Sequence, residues 1–191
     1  MQERHLKKDL RLKFLANRKI LITGNPADSR TLASGFAKIY PDATFISKSN
    51  GWDLSDFSDQ SVDRLLNFFK NFNTFINASY IGPLVQTKLL DIYWQSQKYA
   101  DVFNFGSTHE YDGLGDSEYS QSKIALRNRS LELNTYRFRT HHIVLGGIKN
   151  PFDPGTATFL DIDTICQIVP WILSQDFNVP LMGIDQRKEA W

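Results

Sequence analysis

One serine, one tyrosine and one lysine stand in an order that suits proton exchange with an alcohol or a carbonyl. They are Ser107 and the ends of the run Tyr119-Ser120-Gln121-Ser122-Lys123, the only Tyr-x-x-x-Lys in the chain. On a helix, residues four apart share a face. A free phenol, with a pKa of about 10, is too reluctant to ionise to act as a base at neutral pH. A neighbouring ammonium favours phenolate by roughly 1 to 3 units, and an oxidised nicotinamide ring would add to that effect. Tyr119 is then expected to exchange a proton with a substrate oxygen while hydride moves to or from a nicotinamide. Ser107 would hold the same oxygen, and Lys123 could also bind the nicotinamide ribose. The competing reading is a surface helix whose Tyr and Lys only shield apolar neighbours. Register argues against it, because the motif opens a predicted helix soon after the strand that ends at Ser107.

The elements that must position these groups follow a regular alternation. Strands are read at 19–23 (KILIT), 44–47, 74–77 (TFIN), 101–105 (DVFNF), 141–145 (HHIVL) and 179–182. Between them lie apolar helical patterns: one carrying Leu32, Phe36 and Ile39, with Ser29 as a possible cap, and others at 62–69, 84–97, 118–133 and 161–173. Asp59 or Ser61 is a candidate cap for the second. Short apolar strands alternating with helices predict an α/β fold, a single Rossmann-type doubly wound parallel sheet with helices on both faces. Residues 19–191 are read as that one domain and 1–18 as a basic amphipathic helix or arm. In such sheets ligands bind beyond the carboxyl ends of the strands, so the residues just after each strand are the informative ones.

After the first strand, Gly24, Asn25, Ser29 and Arg30 lie in a turn leading to a helix, an arrangement that favours a pyrophosphate. Arg30 would either pair with phosphate oxygens or remain a solvated helix arginine. After the second strand, Lys48 and Ser49 stand where an NAD site often carries an acidic residue, which hints at NADP rather than NAD. An exposed lysine is the plain alternative. Asp53, before Leu54, would receive an adenine amino group or simply close a local turn. After the strand at 74–77, Asn77, Ala78 and Ser79 leave room for a cofactor above the sheet, with Asn77 either tying strand ends together or only ending its strand. His141 and His142 are read as structural residues at the start of a strand, away from the active end. His109, Glu110 and Tyr111 follow Ser107 and are candidates to face the pocket.

In this order the motifs resemble the short-chain dehydrogenase/reductase family. The resemblance runs over about 19–185 and rests on LITG at 21–24, Asp53-Leu54, NAS at 77–79, Ser107, Tyr119 with Lys123, and LGGI at 145–148. It implies an NAD(P)-dependent oxidoreductase with the Ser, Tyr and Lys roles given above, and it places Gly146, Gly147 and Ile148 against the nicotinamide. It also implies a homodimer or homotetramer built on the helices at 84–97 and 118–133. The chain departs from the family pattern in three places. Only Thr23-Gly24 remains of the TGxxxGxG loop, helix 84–97 contains no asparagine for the usual proton relay, and about a dozen residues are left for a substrate lid.

Bulk properties agree with a small metabolic domain. The 191 residues suit one core, and a net charge of +1 gives no reason to expect nucleic acid. No apolar run is long enough to span a bilayer. The single cysteine, Cys166, excludes an internal disulfide and reads as a buried thiol in a cytoplasmic setting. No spacing suggests a metal. The expectation is a reductase or dehydrogenase of a small carbonyl or alcohol. The alternative is a catalytically weak cofactor-sensing or interaction protein, with a sugar-nucleotide epimerase or dehydratase as a third reading.

Overall fold

The computed structural model describes residues 18–111, 117–149, 155 and 159–185. The expected N-terminal arm and most of the expected lid segment lie outside the described residues. The strands are β1 (Ile20–Thr23), β2 (Thr44–Ile46), β3 (Thr74–Asn77), β4 (Ala100–Phe105), β5 (Phe138–Leu145) and β6 (Leu181–Ile184). They form one six-stranded sheet in the order β2-β1-β3-β4-β5-β6, with every pairing parallel. The helices are α1 (Leu32–Ile39), α2 (Asp59–Phe69), α3 (Val85–Ser96), α4 (Glu118–Leu133), α5 (Ile162–Cys166) and α6 (Ile168–Ser174).

Successive strand residues point to opposite faces, so each strand feeds two cores. Leu21, Phe75 and Val102 pack under α2, α3 and α4 with Leu65, Phe69, Leu89, Tyr93 and Leu126. Ile22, Ile76 and Phe103 pack on the other face with Phe36 of α1, Ile165 of α5 and Val169 of α6. Helices thus cover both faces, and β3 and β4 are buried along their whole length. This is the doubly wound α/β arrangement expected from the alternation. Cys166 is buried as expected, its thiol near the Leu32 carbonyl and pushed up to about 12 by burial.

Several boundaries differ for identifiable reasons. The helix expected over 161–173 is two helices meeting at Gln167, because the Pro170 ring excludes the carbonyl of Cys166 from a continuous ladder. β5 starts at Phe138, whose pairing with Ala100 extends the strand three residues upstream of the expected start. β6 lies at Leu181–Ile184 in place of 179–182, and the Val179 carbonyl accepts from His141 Nδ1 instead. Thr31, not Ser29, holds the N-cap position of α1 and donates its hydroxyl to the carbonyls of Asn25 and Asp28. Ser58 precedes α2, with Asp59 in its first turn.

The chain leaves β1 outward to β2 and then crosses back to β3. The order reverses between β1 and β3, which puts the ligand crevice at Thr23-Gly24 and Asn77-Ala78-Ser79. Among the described residues a single strand, β2, lies outside β1 on that flank.

The aromatic group Phe69, Phe75, Tyr93 and Phe138 holds the sheet to α2 and α3, with Phe75 fully buried and 4.8 Å from the Tyr93 ring centroid. Phe75→Ala should cost about 3–5 kcal/mol in urea unfolding, whereas Gln60→Ala, on the exposed face of α2, should cost well under 1 kcal/mol.

Candidate active site

Ser107 follows β4 and opens a single 3-10 turn, Thr108–Glu110. Its hydroxyl accepts from the His109 amide at 3.3 Å, and its own amide donates to Glu110 Oε1 at 2.9 Å, a reciprocal capping box. Tyr119 and Lys123 lie one turn apart on α4, as their spacing requires. The Ser117 hydroxyl caps the helix by accepting from the Ser120 amide. Ser107 is close enough to the Tyr119 phenol to pull its pKa down, and the Lys123 ammonium lies 5.6 Å from the Tyr119 ring centroid, so the three expected residues converge beyond the carboxyl end of β4.

Lys123 is buried, and its ammonium donates to Gln86 Oε1 at 2.7 Å and to the Phe105 carbonyl at 2.8 Å. Burial lowers it to about 8, against the opposing pull of the Glu110 carboxylate. Tyr119 moves contrary to the sequence expectation. Burial pushes its phenol up, the nearby Ser107 side chain pulls it down, and Tyr80 and Glu110 add to the rise, for a net shift upward. The reason is geometric: the Lys123 ammonium points inward at Gln86 and Phe105 and lies 5.6 Å from the Tyr119 ring centroid. In the protein alone Tyr119 is therefore a neutral phenol rather than a phenolate. The Tyr80 ring meets Tyr119 edge-on at 4.9 Å, and His109 does so at 5.8 Å, forming an aromatic rim.

Gln86 answers the absence of a helix asparagine. Besides holding Lys123, its side-chain amide donates to the Asn77 carbonyl, and Asn77 Nδ2 donates back to the Gln86 carbonyl, both at 2.8 Å. Asn77 Nδ2 also donates to Asn104 Oδ1, and Asn104 Nδ2 to Ser130 Oγ. Asn77 thus ties strand ends together, one of the two roles open to it. Gln86 was legible as the amide residue in the first turn of α3. His142 was misjudged: it lies inside β5, opposite Asn104, and its Nε2 is 3.0 Å from Glu110 Oε1 beneath Ser107. His141 is structural as read, stacked on Phe103 and 3.7 Å from Asp101.

The cofactor side is less regular. Gly24 has φ +128, and a Cβ there would meet Ser79 Oγ and Ala33 Cβ within 2.7 Å, so only glycine lets β1 turn so close to the crevice. Thr23 Oγ1 accepts from the amides of Ala78 and Ser79, fastening the two loops that flank the crevice. Asn25 caps its own turn by accepting from the Ala27 amide. Arg30 does not point free into the crevice. Its guanidinium makes a two-pronged pair with Asp28 at 2.9 Å, and that contact holds the Asp28 carboxyl down at about 2. Ser29 is exposed and lines a cleft of about 390 Å³ with Ser34, Lys38 and Lys149, which Ser107, Tyr119 and Lys123 do not line.

Lys48 and Ser49 sit in an exposed turn just beyond β2, where Ser49 Oγ is bonded to Ser47 Oγ. Asp53 closes a local turn by accepting from the amide and hydroxyl of Ser55, the second of its two expected roles. The Leu54 side chain belongs to the core, at 2% exposure, and offers a ligand nothing but backbone. Gly146 and Gly147 end β5 with Asp185 and the Phe159 ring close against them, and Ile148 bridges to Leu160. Among the described residues no His/Cys/Asp/Glu group has metal-site geometry, and no helix is long and apolar enough to cross a membrane.

Neither a family model nor a curated protein sequence matches the chain. Solved structures do. A short-chain dehydrogenase from Burkholderia cenocepacia J2315 in complex with NADP superposes with a TM-score of 0.66 at 14% identity, over 88% of this chain and 89% of that one. A 3-alpha-hydroxysteroid dehydrogenase from Pseudomonas sp. B-0831 complexed with NADH gives 0.61 at 14% identity, over 86% and 94%. A UDP-N-acetylglucosamine 4-epimerase from Bacillus cereus gives 0.67 at 14% identity, over 88% and 78%. The chain has the short-chain dehydrogenase/reductase fold.

The buried lysine makes stability depend on pH. The unfolded chain keeps the Lys123 proton up to about 10.5 and the folded chain releases it near 8, so the unfolded state binds more protons between those values. Stability should therefore rise with pH across that window, by about 3 kcal/mol at most, and the cost of the buried charge should be borne in full below pH 8. Urea unfolding of wild type and Lys123→Met from pH 7 to 10.5 checks this. The wild type should gain on the variant as pH rises, a comparison that cancels the titration of Cys166.

Proposed function

We propose that the protein is an NAD(P)-dependent oxidoreductase that reduces a small carbonyl compound, with Tyr119 as the proton donor. The observation that carries this reading is the convergence of Ser107, Tyr119 and Lys123 beside the crevice between β1 and β3, with the phenol held protonated. The nicotinamide end of a cofactor suits these residues, because small groups at Gly24, Ala78 and Ser79 leave the crevice floor low. When bound, the cofactor supplies the hydride. Ser107 orients the carbonyl oxygen, Tyr119 delivers a proton to it, and the Lys123 ammonium stabilises the phenolate that remains. Gln86 holds Lys123 in place and takes over the linking role for which helix α3 has no asparagine.

Lys48 beyond β2 supports NADP over NAD, since an ammonium rather than a carboxylate flanks the place of the adenosine ribose. Trp94 on α3 and Leu131 on α4 are exposed, which supports a homodimer or homotetramer assembled through these two helices. The buried single thiol suits the reducing cytoplasm. Tyr119→Phe should lower turnover by about 10²- to 10⁴-fold across a carbonyl panel while leaving NADPH affinity nearly unchanged. Unaltered turnover in that variant would overturn the mechanism.

The Asp28–Arg30 pair favours a second reading, a protein that senses the cofactor without efficient catalysis. A carboxylate where a pyrophosphate must approach repels it and occupies the one arginine at hand. Asp28→Asn removes the charge and releases Arg30, so fluorescence titration should show NADPH binding more tightly, by up to about tenfold. Turnover that appears only with that variant would favour the sensing role for the natural chain.

A further inference from the structure

Under Ser107 lies a buried acid–imidazole contact that the mechanism above does not use. Glu110 Oε1 accepts from the Ser107 amide at 2.9 Å and lies 3.0 Å from His142 Nε2, while Oε2 is 3.2 Å from the same nitrogen. Both side chains are fully shielded from solvent. His142 Nδ1, on the other side of the ring, is buried without a hydrogen-bond partner among the described residues. A Cβ on Gly106 would stand 2.0 Å from Glu110 Oε1 and 2.4 Å from His142 Nε2, so this glycine is what lets the pair reach the serine turn.

We propose that Glu110, clamped by His142, is a positioning residue of the site: it fixes the turn that carries Ser107 and sets its carboxylate against the same Phe105–Ser107 backbone to which the Lys123 ammonium is bonded. The inference deepens the oxidoreductase reading and rests on it for its catalytic meaning. Charged and titratable groups near Glu110 come from two neighbouring elements, β5 and α4, and from its own turn. His142 comes from β5; Lys123, Tyr119 and Arg127 come from α4, with Arg127 Nη1 at 3.7 Å; His109 belongs to its own turn. Arg127 is partly exposed and stacks on Tyr111, whereas Lys123 is buried and has only neutral hydrogen-bond acceptors. The same carboxylate raises both Lys123 and Tyr119, which favours an ammonium beside a protonated phenol, the pairing a reduction starts from.

The test needs neither cofactor nor substrate, so its failure is separate from failure of the oxidoreductase reading. Protein carrying ¹³C/¹⁵N-labelled lysine is titrated by NMR, with the Lys123 signal assigned by its loss in Lys123→Arg. Glu110→Gln keeps an acceptor for the Ser107 amide but removes the charge, and the Lys123 midpoint should fall by about half a unit or more. Glu110→Asp should restore most of that shift, which a purely structural role would not require. Should Glu110→Gln fail to fold, the wild type still decides: in ¹³C-glutamate-labelled protein the Glu110 carboxyl signal should inflect at the Lys123 midpoint. An unmoved midpoint in a folded Glu110→Gln, or the absence of that inflection, overturns the proposal.

Discussion

The Lys123 ammonium is the group on which the site depends. A cation taken out of water costs several kcal/mol unless it is surrounded by acceptors. Here the acceptors come from two separate elements, Gln86 at the start of α3 and the Phe105 carbonyl at the end of β4. Meeting that need locks α4 against α3 and against the end of β4, which places Tyr119, one turn back on the same helix, next to Ser107. The requirement then spreads. Gln86 is tied to Asn77, Asn77 to Asn104, and Asn104 to Ser130 on α4 itself, so a row of buried amides crosses the two central strands and returns to the helix where it began. Networks connected at nearly every member define one arrangement of their elements, because shifting any of them leaves buried polar atoms without partners.

Around this cation the charges are graded. Burial lowers the lysine and raises the phenol, and Glu110 opposes the first of these while reinforcing the second. The phenol and the ammonium are linked through what surrounds them more than through direct contact, since the ammonium points into the protein. Tyr80 and His109 wall the phenol with aromatic edges and leave the approach from solvent partly apolar. These features suit a site that gives a proton to a carbonyl oxygen.

The other half of the crevice follows a different logic. Among the described residues β2 is the only strand outside β1, so whatever binds beyond it meets the exposed turn at Lys48–Asn50 near the sheet edge. The first loop retains the one glycine whose backbone demands it, and its remaining length is stabilised by side chains: Asn25 to Ala27, Thr31 to Asn25 and Asp28, Arg30 to Asp28. Such a loop is held rigid from within, whereas a glycine-rich one leaves its amides open to a ligand. A fixed arrangement of Ser107, Tyr119 and Lys123 and a self-satisfied first loop stand side by side at the carboxyl end of the sheet.

Periodicity alone was enough for the α/β class, the six strands, the wrapping of helices on both faces and the helix bearing Tyr119 and Lys123. Each of these rests on local spacing: apolar runs of four to six residues, stripes at helical intervals, and two side chains one turn apart. What spacing could not supply was decided by packing. Pro170 split one expected helix, the pairing of Phe138 with Ala100 lengthened β5, and the same pairing carried His142 to Glu110. Gln86 took over a linking role because it lay within reach of a buried amine, a fact no window of sequence contains. The sign of the Tyr119 shift was likewise out of reach, since it depends on which way the Lys123 ammonium points and on how much water is excluded. The sequence by itself determined which residues follow the carboxyl ends of β1, β3, β4 and β5, for that is local order along the chain. Only the tertiary structure decided which are paired, buried or charged, because burial and electrostatics depend on distances between segments far apart in the chain.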